Sequence, residues 1–434
     1  MHRSWIGLIL LFTCAVSAQE LPRRNSFGAT VNPDPQGVQV SIVVPGSPAA
    51  QGGLRVGDVI TAVGMHAIST SADFVQTVRS ASASTPLTVS VLRMGKRDQL
   101  EVSLVPVAKE SDPRVDTVYS SISIAGSLRR TLVSTPKGAT GRLPAVLLIG
   151  GIGCYSVDNP ADPNDVYRRL AHDLSKAGLI VMRIEKSGIG DSQGTPCFET
   201  DFNSETQMYA AGLAALEKEP HVDPDKIFLF GHSIGTLIAP RLAVKNSVAG
   251  IVVAEAAGIN WFEYELANLR RQSVLGGDTP TETDDLLRSK EVCMHRLLIE
   301  HQPEESIESS MPECKKRNSY PVAAPYMQQV AALNVAEPWS QVRVPVLAVY
   351  GTADFVTAEA EHQRIVDIVN TGHPNAATLI LIQGMDHHLE IMGTPQDAYK
   401  LRVEQHKDGP YAGDLSDQVA KWLCAHAECK RAGA

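Results

Sequence analysis

The chain has 434 residues, with 39 Lys and Arg against 48 Asp and Glu, a net charge of −9 at neutral pH. This acidic balance, without any long basic run, argues against a nucleic-acid partner. A hydrophobic content of 44% supports large cores and excludes a disordered chain, and the length suggests two or three domains.

The N-terminus carries an export signal. Met1-His2-Arg3 is a short basic start, residues 5–14 are mostly apolar, and Val16-Ser17-Ala18 supplies small residues for cleavage. Residues 1–18 read as a secretory signal peptide. The apolar run is too short to span a bilayer well, and no later segment is long and apolar enough, so the mature chain is expected to have no transmembrane segment. A lipoprotein reading would use Cys14, but Thr13 before it fits that signal poorly. Cleavage leaves Cys154, Cys197, Cys293, Cys314, Cys424 and Cys429. An even count in an exported chain, periplasmic or secreted, permits disulfides. Proximity pairs Cys293 with Cys314 and Cys424 with Cys429, which leaves Cys154 with Cys197; six free thiols are the alternative. None of these cysteines has the spacing of a metal site.

A first module spans residues 25–108. Residues 38–44 and 87–92 alternate in polarity, as strands do; Arg93-Met94-Gly95-Lys96 is a hairpin turn, residues 99–105 form a further strand, and 73–78 a short helix. Gly46-Ser47-Pro48-Ala49-Ala50, Gly53-Leu54 and Gly57-Asp58-Val59-Ile60 together resemble a PDZ domain of the bacterial, protease-associated type. That resemblance implies strand-wise capture of a peptide C-terminus, with its carboxylate in a loop of backbone amides. Here the loop is Ser26-Phe27-Gly28-Ala29, so Phe27, Gly28 and Ala29 are the candidate peptide contacts. The loop departs from the Gly-Leu-Gly-Phe order usual in the family, and a purely structural or docking role is the alternative. The polar, proline-containing residues 107–114 read as a linker.

A second module spans residues 115–434. Residues 118–124 and 128–134 form a leading antiparallel pair. Buried strands follow at 144–149, 179–182, 227–230, 248–254, 344–350 and 378–382, separated by helices at 165–177, 205–217, after 233, 358–370 and finally 415–423. Strand–helix alternation of this kind implies a mainly parallel, doubly wound α/β sheet, with the site at the carboxyl ends of its strands. Gly231-His232-Ser233-Ile234-Gly235 fits G-x-S-x-G, with a strand before it and a helix after it. That context lifts a serine out of a tight turn as a nucleophile. Asp354 follows the strand at 344–350 and His387 the strand at 378–382. In chemical terms His387 is the general base for Ser233, and Asp354 orients its ring. His387 is preferred to His388 because Gly384, Asp386 and His387 resemble the α/β-hydrolase pattern Gly-x-Asp-His. Asp386-His387-His388 also resembles a metal phosphoesterase motif, but the further ligands such a site needs are missing, and no metal or cofactor is expected.

The order Ser233, Asp354, His387 identifies residues 115–434 as resembling the α/β-hydrolase superfamily, nearer its serine aminopeptidase and esterase branches than the true lipases. The resemblance implies an oxyanion hole formed by the N–H of Ile234 and an N–H from Gly150-Gly151-Ile152-Gly153, placed at Ile152. Arg183-Ile184-Glu185-Lys186-Ser187-Gly188-Ile189-Gly190-Asp191-Ser192 resembles the superfamily's Asp-x-Arg-Gly-x-Gly-x-Ser loop, with Glu185 and Ser187 as departures. Residues 259–341 interrupt the alternation and read as a helical cap, with Trp261 and Phe262 as candidate pocket contacts. Between Asp278 and Glu313 this cap has ten acids and three bases, read as a solvated face.

The expected function is an exported serine hydrolase of carboxylic esters. A serine peptidase is the runner-up; there Glu255, Glu263 and Glu265 are candidates to hold a substrate amine. The alternative of another class is a peptide-binding scaffold whose hydrolase domain is inactive. The partners expected are a small ester or short peptide at the hydrolase and a peptide C-terminus at the PDZ module.

Overall fold

The computed structural model describes residues 21–429; the signal-peptide reading of 1–18 falls outside them. Residues 29–102 build an antiparallel sheet in the order Ala29–Asp34, Gly37–Val43, Val59–Val63, Leu87–Arg93, Lys96–Val102, with His66–Ala67 paired to Val59–Val63. Helix α1 (Ser71–Ser80) closes it, burying Phe74 and Val78 against Phe27, Val38, Ile60 and Val89. The helix starts before the expected 73–78 because of a capping box. The Thr70 hydroxyl accepts from the Asp73 N–H, and the Asp73 carboxylate accepts from the Thr70 N–H. Ala29–Asp34 is the outer strand and pairs on one side.

Residues 107–114, expected as a linker, are docked. Glu110 is buried, with its carboxylate beside Arg183 and 3.1 Å from His172 Nε2. Burial alone would raise this carboxyl, but the charges and hydrogen bonds of Arg183 and His172 outweigh it and bring it down to about 2. Arg79 at the end of α1 donates to the carbonyls of Gly188, Gly190 and Ser192, and Arg23 pairs with Asp158 and Asp191. The first sheet is therefore bonded to the 188–192 loop of the second.

The second sheet has eight strands. They are β1 (Val115–Ile124), β2 (Ser127–Pro136), β3 (Leu143–Ile149), β4 (Ile180–Ile184), β5 (Val222–His232), β6 (Gly250–Ala254), β7 (Val346–Gly351) and β8 (Ala377–Ile382). The order across the sheet is β1-β2-β4-β3-β5-β6-β7-β8. The leading β1–β2 hairpin is antiparallel and the rest run parallel, β2 meeting β4 antiparallel. β5 is longer than the expected 227–230, because Leu143 of β3 pairs with Val222 before the register shift that brings Ala145 opposite Ile227.

Both faces are covered, which is why the strands read as unbroken apolar runs. Helices α2 (Val166–Lys176) and α8 (Gly413–Ala427) pack on Val146, Leu148, Phe228 and Phe230. Helices α3 (Phe202–Leu216), α4 (Gly235–Lys245) and α7 (Glu359–Gly372) pack on Leu147, Ile149, Ile227 and Leu229. Alternate residues of one strand thus serve two cores. Helices α5 (Trp261–Leu275) and α6 (Pro280–Met294) and shorter helices at Glu304–Ser310, Ala324–Ala331 and Ala336–Gln341 form the insertion between β6 and β7. Its Met294, Leu297, Tyr326 and Trp339 join the second core. All three cysteine pairs are bonded as proximity suggests: Cys154–Cys197, Cys293–Cys314 and Cys424–Cys429. No helix among the described residues is long and apolar enough to cross a membrane.

Candidate active site

Ser233 sits between β5 and α4 with φ +53°, a left-handed conformation that a serine adopts only under constraint. Its N–H is held by the Ala254 carbonyl at the end of β6. A Cβ on Gly235 would lie 2.4 Å from the Ile149 carbonyl oxygen, and one on Gly231 2.7 Å from that of Gly235. Both positions therefore require glycine, and the turn they allow leaves Ser233 partly exposed.

Asp354 and His387 reach this serine from the ends of β7 and β8. His387 Nε2 lies 3.0 Å from Ser233 Oγ, and His387 Nδ1 lies 3.0 Å from Asp354 Oδ2. A carboxylate only accepts, so Nδ1 carries the proton and Nε2 is free to accept from the serine. Asp354 Oδ1 accepts from the Val356 and Thr357 N–H groups, and Oδ2 from the Thr357 hydroxyl. Burial would raise the Asp354 carboxyl, but the His387 charge and these bonds hold it well below the usual carboxylate range. It is a fixed anion aimed at the ring.

Glu255 follows β6 with φ +51° and is fully buried. Donor atoms of Glu255, Asp354 and His387 lie within 4.8 Å of one another, the metal-sized cluster found among the described residues. Hydrogen bonds within the cluster and to Ser233 and Thr357 already engage it. Burial first, and then the Asp354 charge, push the Glu255 carboxyl well above its ordinary value. Its Oε1 accepts from the Gly351 N–H at 2.8 Å, and burial beside the Asp354 charge favours its protonated form. A carboxyl shifted in this direction is a weaker anionic partner for a substrate amine than an ordinary glutamate. Glu263 bonds Asn260 in the cap of α5, and Glu265 pairs with Lys290 at 2.9 Å. Each of the three acids expected to hold an amine thus has a protein partner, while Glu255 and Glu265 also line a cavity at Ser233.

The loop after β3 closes the other side of Ser233. A Cβ on Gly151 would be 3.3 Å from Ser233 Cβ. Among the described residues no acceptor takes the N–H of Ile152 or of Ile234. Tyr209 binds the Gly150 N–H and Tyr167 the Gly151 N–H, both through their hydroxyl oxygens. The Cys154–Cys197 bridge fastens the loop to the segment after Ser192. His232 ties the two sides together. Its Nε2 is 2.8 Å from the His387 carbonyl, which can only accept, so Nε2 carries the proton. Its Nδ1, 2.7 Å away, then accepts from the Tyr167 hydroxyl. Burial, with the neighbouring His387 charge, lowers His232 to about 3 and keeps it neutral.

Two cavities meet at Ser233, His387 and Ile152. One, of about 340 Å³, is lined by polar groups including Asp162, Asp165, His388, Glu390 and Arg402. The other, of about 260 Å³, lies under the insertion and is lined mainly by apolar and aromatic side chains, among them Ile234, Ala257, Trp261 and Val356, with Glu255 and Glu265 also at its wall. Trp261 is at the pocket as expected. Phe262 is not, because it packs against the core of α5 and its neighbours. His388 has no bond to Ser233; its N–H is used by Asp386, and burial, with the His387 and Arg402 charges, lowers its ring to about 4.

The expected peptide loop is only partly available. The Phe27 side chain is buried edge-on against Phe74 at 5.1 Å, so only its backbone faces outward. The Phe27 and Gly28 carbonyls accept from Ala49 and Val44. Tyr155, Tyr167, Tyr209 and Lys186 were not foreseen as site residues. The one local signal was a lysine among the glycines just after a buried strand.

A family model described as serine aminopeptidase, S33, matches residues 161–391, and one described as PDZ domain matches residues 25–104. Esterase EstD of Thermotoga maritima is 23% identical over 292 residues, covering 67% of this chain and 64% of EstD. A probable periplasmic serine endoprotease, DegP-like, of Pseudomonas putida is 28% identical over 211 residues, covering 43% of this chain and 42% of its own length. The chain spans less than two thirds of either relative. Among solved structures, Est1E of Butyrivibrio proteoclasticus with ferulic acid bound aligns at 13% identity with a TM-score of 0.47, over 70% of this chain and 98% of that one.

Proposed function

We propose, from the premise that this chain belongs to the serine aminopeptidase (S33) family, that it is an exported serine hydrolase of carboxylic esters. The observation that carries the reading is the hydrogen-bonded row Ser233 Oγ–His387 Nε2–Nδ1–Asp354, with 3.0 Å at each link, at the junction of two cavities. Ser233 attacks the ester carbonyl while His387 takes its proton. The oxyanion is met by the N–H groups of Ile234 and Ile152, neither of which is otherwise engaged. His387 then protonates the departing alcohol, and water repeats the cycle on the acyl-enzyme. The apolar cavity suits the acyl group and the polar one the leaving group. An EstD relative supports the ester reading.

The second reading is a peptidase, favoured by the family's own description. The partners already held by Glu255, Glu263 and Glu265 favour the ester, although Glu255 and Glu265 line the cavity at Ser233. A panel of p-nitrophenyl acyl esters beside aminoacyl and dipeptidyl amides, run on wild type and Ser233→Ala, decides between them. Ester turnover dependent on Ser233 is expected; turnover of amides alone would overturn the ester reading. No Ser233-dependent turnover of either would leave the scaffold reading.

Export is supported by the signal-like residues 1–18, three disulfides and the periplasmic DegP-like relatives. The domain limits proposed are 25–108 and 115–434. The first takes a peptide C-terminus at Phe27, Gly28 and Ala29, supported by the free outer edge of Ala29–Asp34.

A further inference from the structure

We propose that Lys186 is a positioning residue for acyl transfer: it holds the Gly151 carbonyl so that the Ile152 N–H faces the oxygen that gains charge at Ser233. The inference rests on the ester-hydrolase reading above. Lys186 follows β4 and is 4% exposed. Its Nζ donates to the Gly151 oxygen at 2.6 Å and lies 2.9 Å from Glu205 Oε1, over the Tyr155 ring. A buried ammonium is costly unless paired, and this one is paired with an acid and one carbonyl. That carbonyl belongs to the peptide whose N–H is Ile152's.

The described peptide bonds are trans, so this C=O and N–H point opposite ways. Fixing the oxygen on Lys186 turns the Ile152 N–H to the far side, where Ile152 and Ser233 line the same two cavities. Tyr155 also reaches the Gly151 oxygen, at 3.0 Å, but it has one proton and two acceptors. Its hydroxyl is equally 3.0 Å from Tyr167, whose own proton goes to His232. Lys186, with three protons, can serve Glu205 and the Gly151 carbonyl at once. Its charge also polarises the amide and strengthens the N–H as a donor.

The test compares Lys186→Met with wild type, with Lys186→Gln, uncharged and one atom shorter, taking its place if the first does not fold. Folding is read from the melting curve. On a p-nitrophenyl ester kcat should fall about 10- to 100-fold with KM within about threefold, the signature of a lost transition-state contact. The inhibition constant of phenylboronic acid, which forms a tetrahedral adduct on the serine, should rise by the same factor. A folded variant with wild-type kcat, or one whose kcat falls while the boronate constant stays put, overturns the proposal. If wild type turns over no ester, the ester reading fails. The positioning claim is then read by amide hydrogen exchange: faster exchange over residues 150–155 in the variant supports it, and unchanged exchange overturns it.

Discussion

The turn that carries Ser233 is held by backbone groups, whereas the loop that carries Ile152 is held by side chains from elsewhere. The Asp354 and His387 loops lie between, with Arg271 on the carbonyls after Asp354 and His232 on that of His387. Ser233 is set by Gly231, Gly235 and the Ala254 carbonyl, and Asp354 by the N–H groups two and three residues after it. The loop at Gly150–Ile152 instead hangs from Tyr167 on α2, Tyr209 on α3 and Lys186 after β4. A strand end in a parallel sheet fixes position cheaply, because the ladder has already ordered the residue. A glycine loop has no such frame and must be pinned at each amide. The nucleophile side should therefore fail through its own residues and the oxyanion side through distant ones.

Asp354→Asn should show the largest effect on this contrast. The amide no longer enforces the Nδ1–H tautomer of His387, so kcat should drop roughly ten-thousand-fold with the fold retained. A loss under about tenfold would mean that Asp354 does not orient the base. Tyr167→Phe tests the other side. It removes the acceptor of the Gly151 N–H and the donor to His232. We expect about a tenfold loss of kcat, and a stability loss of about 1–3 kcal/mol from the stranded groups. Unchanged kinetics would show that the loop stands without its side-chain props.

Glu255→Gln should give the smallest effect, and one that depends on pH. The Glu255 carboxyl is raised above its ordinary 4.5 in the folded chain. As pH rises past that value the unfolded chain releases this proton and the folded chain keeps it. The unfolded state then binds fewer protons, so this group's contribution to stability falls with rising pH until the folded carboxyl itself ionises. Glutamine keeps the shape and the donor and removes the titration. The variant's melting temperature should thus gain on wild type between pH 4 and pH 8. A gap that does not change with pH would contradict a neutral Glu255.

What the sequence shows and what it hides follow the same divide. The G-x-S-x-G turn, the acid and the histidine lie within a few residues of apolar runs, so position along the chain is position in the sheet. The three cysteine pairs were legible as neighbours and a remainder. Tyr155, Tyr167 and Tyr209 had no such signal, because their partners lie on other elements and no spacing links them; Lys186, two residues past β4, had the position but no spacing that links it to Gly151. Glu255 carried a misleading one. An acid beside a strand end looks like a substrate anchor until the fold buries it against Asp354, which disfavours its charge. Residues 107–114 had the composition of a tether, and Glu110, through Arg183 and His172, with Asp112 on Lys176, makes them part of the fold.

The central claim is that Ser233 is a nucleophile activated by His387. It is tested most directly by incubating the protein with a fluorophosphonate and mapping the adduct by mass spectrometry. The account predicts a single adduct, on the peptide containing Ser233, absent in Ser233→Ala and formed far more slowly in His387→Ala. No adduct, or an adduct on any other residue, would contradict it.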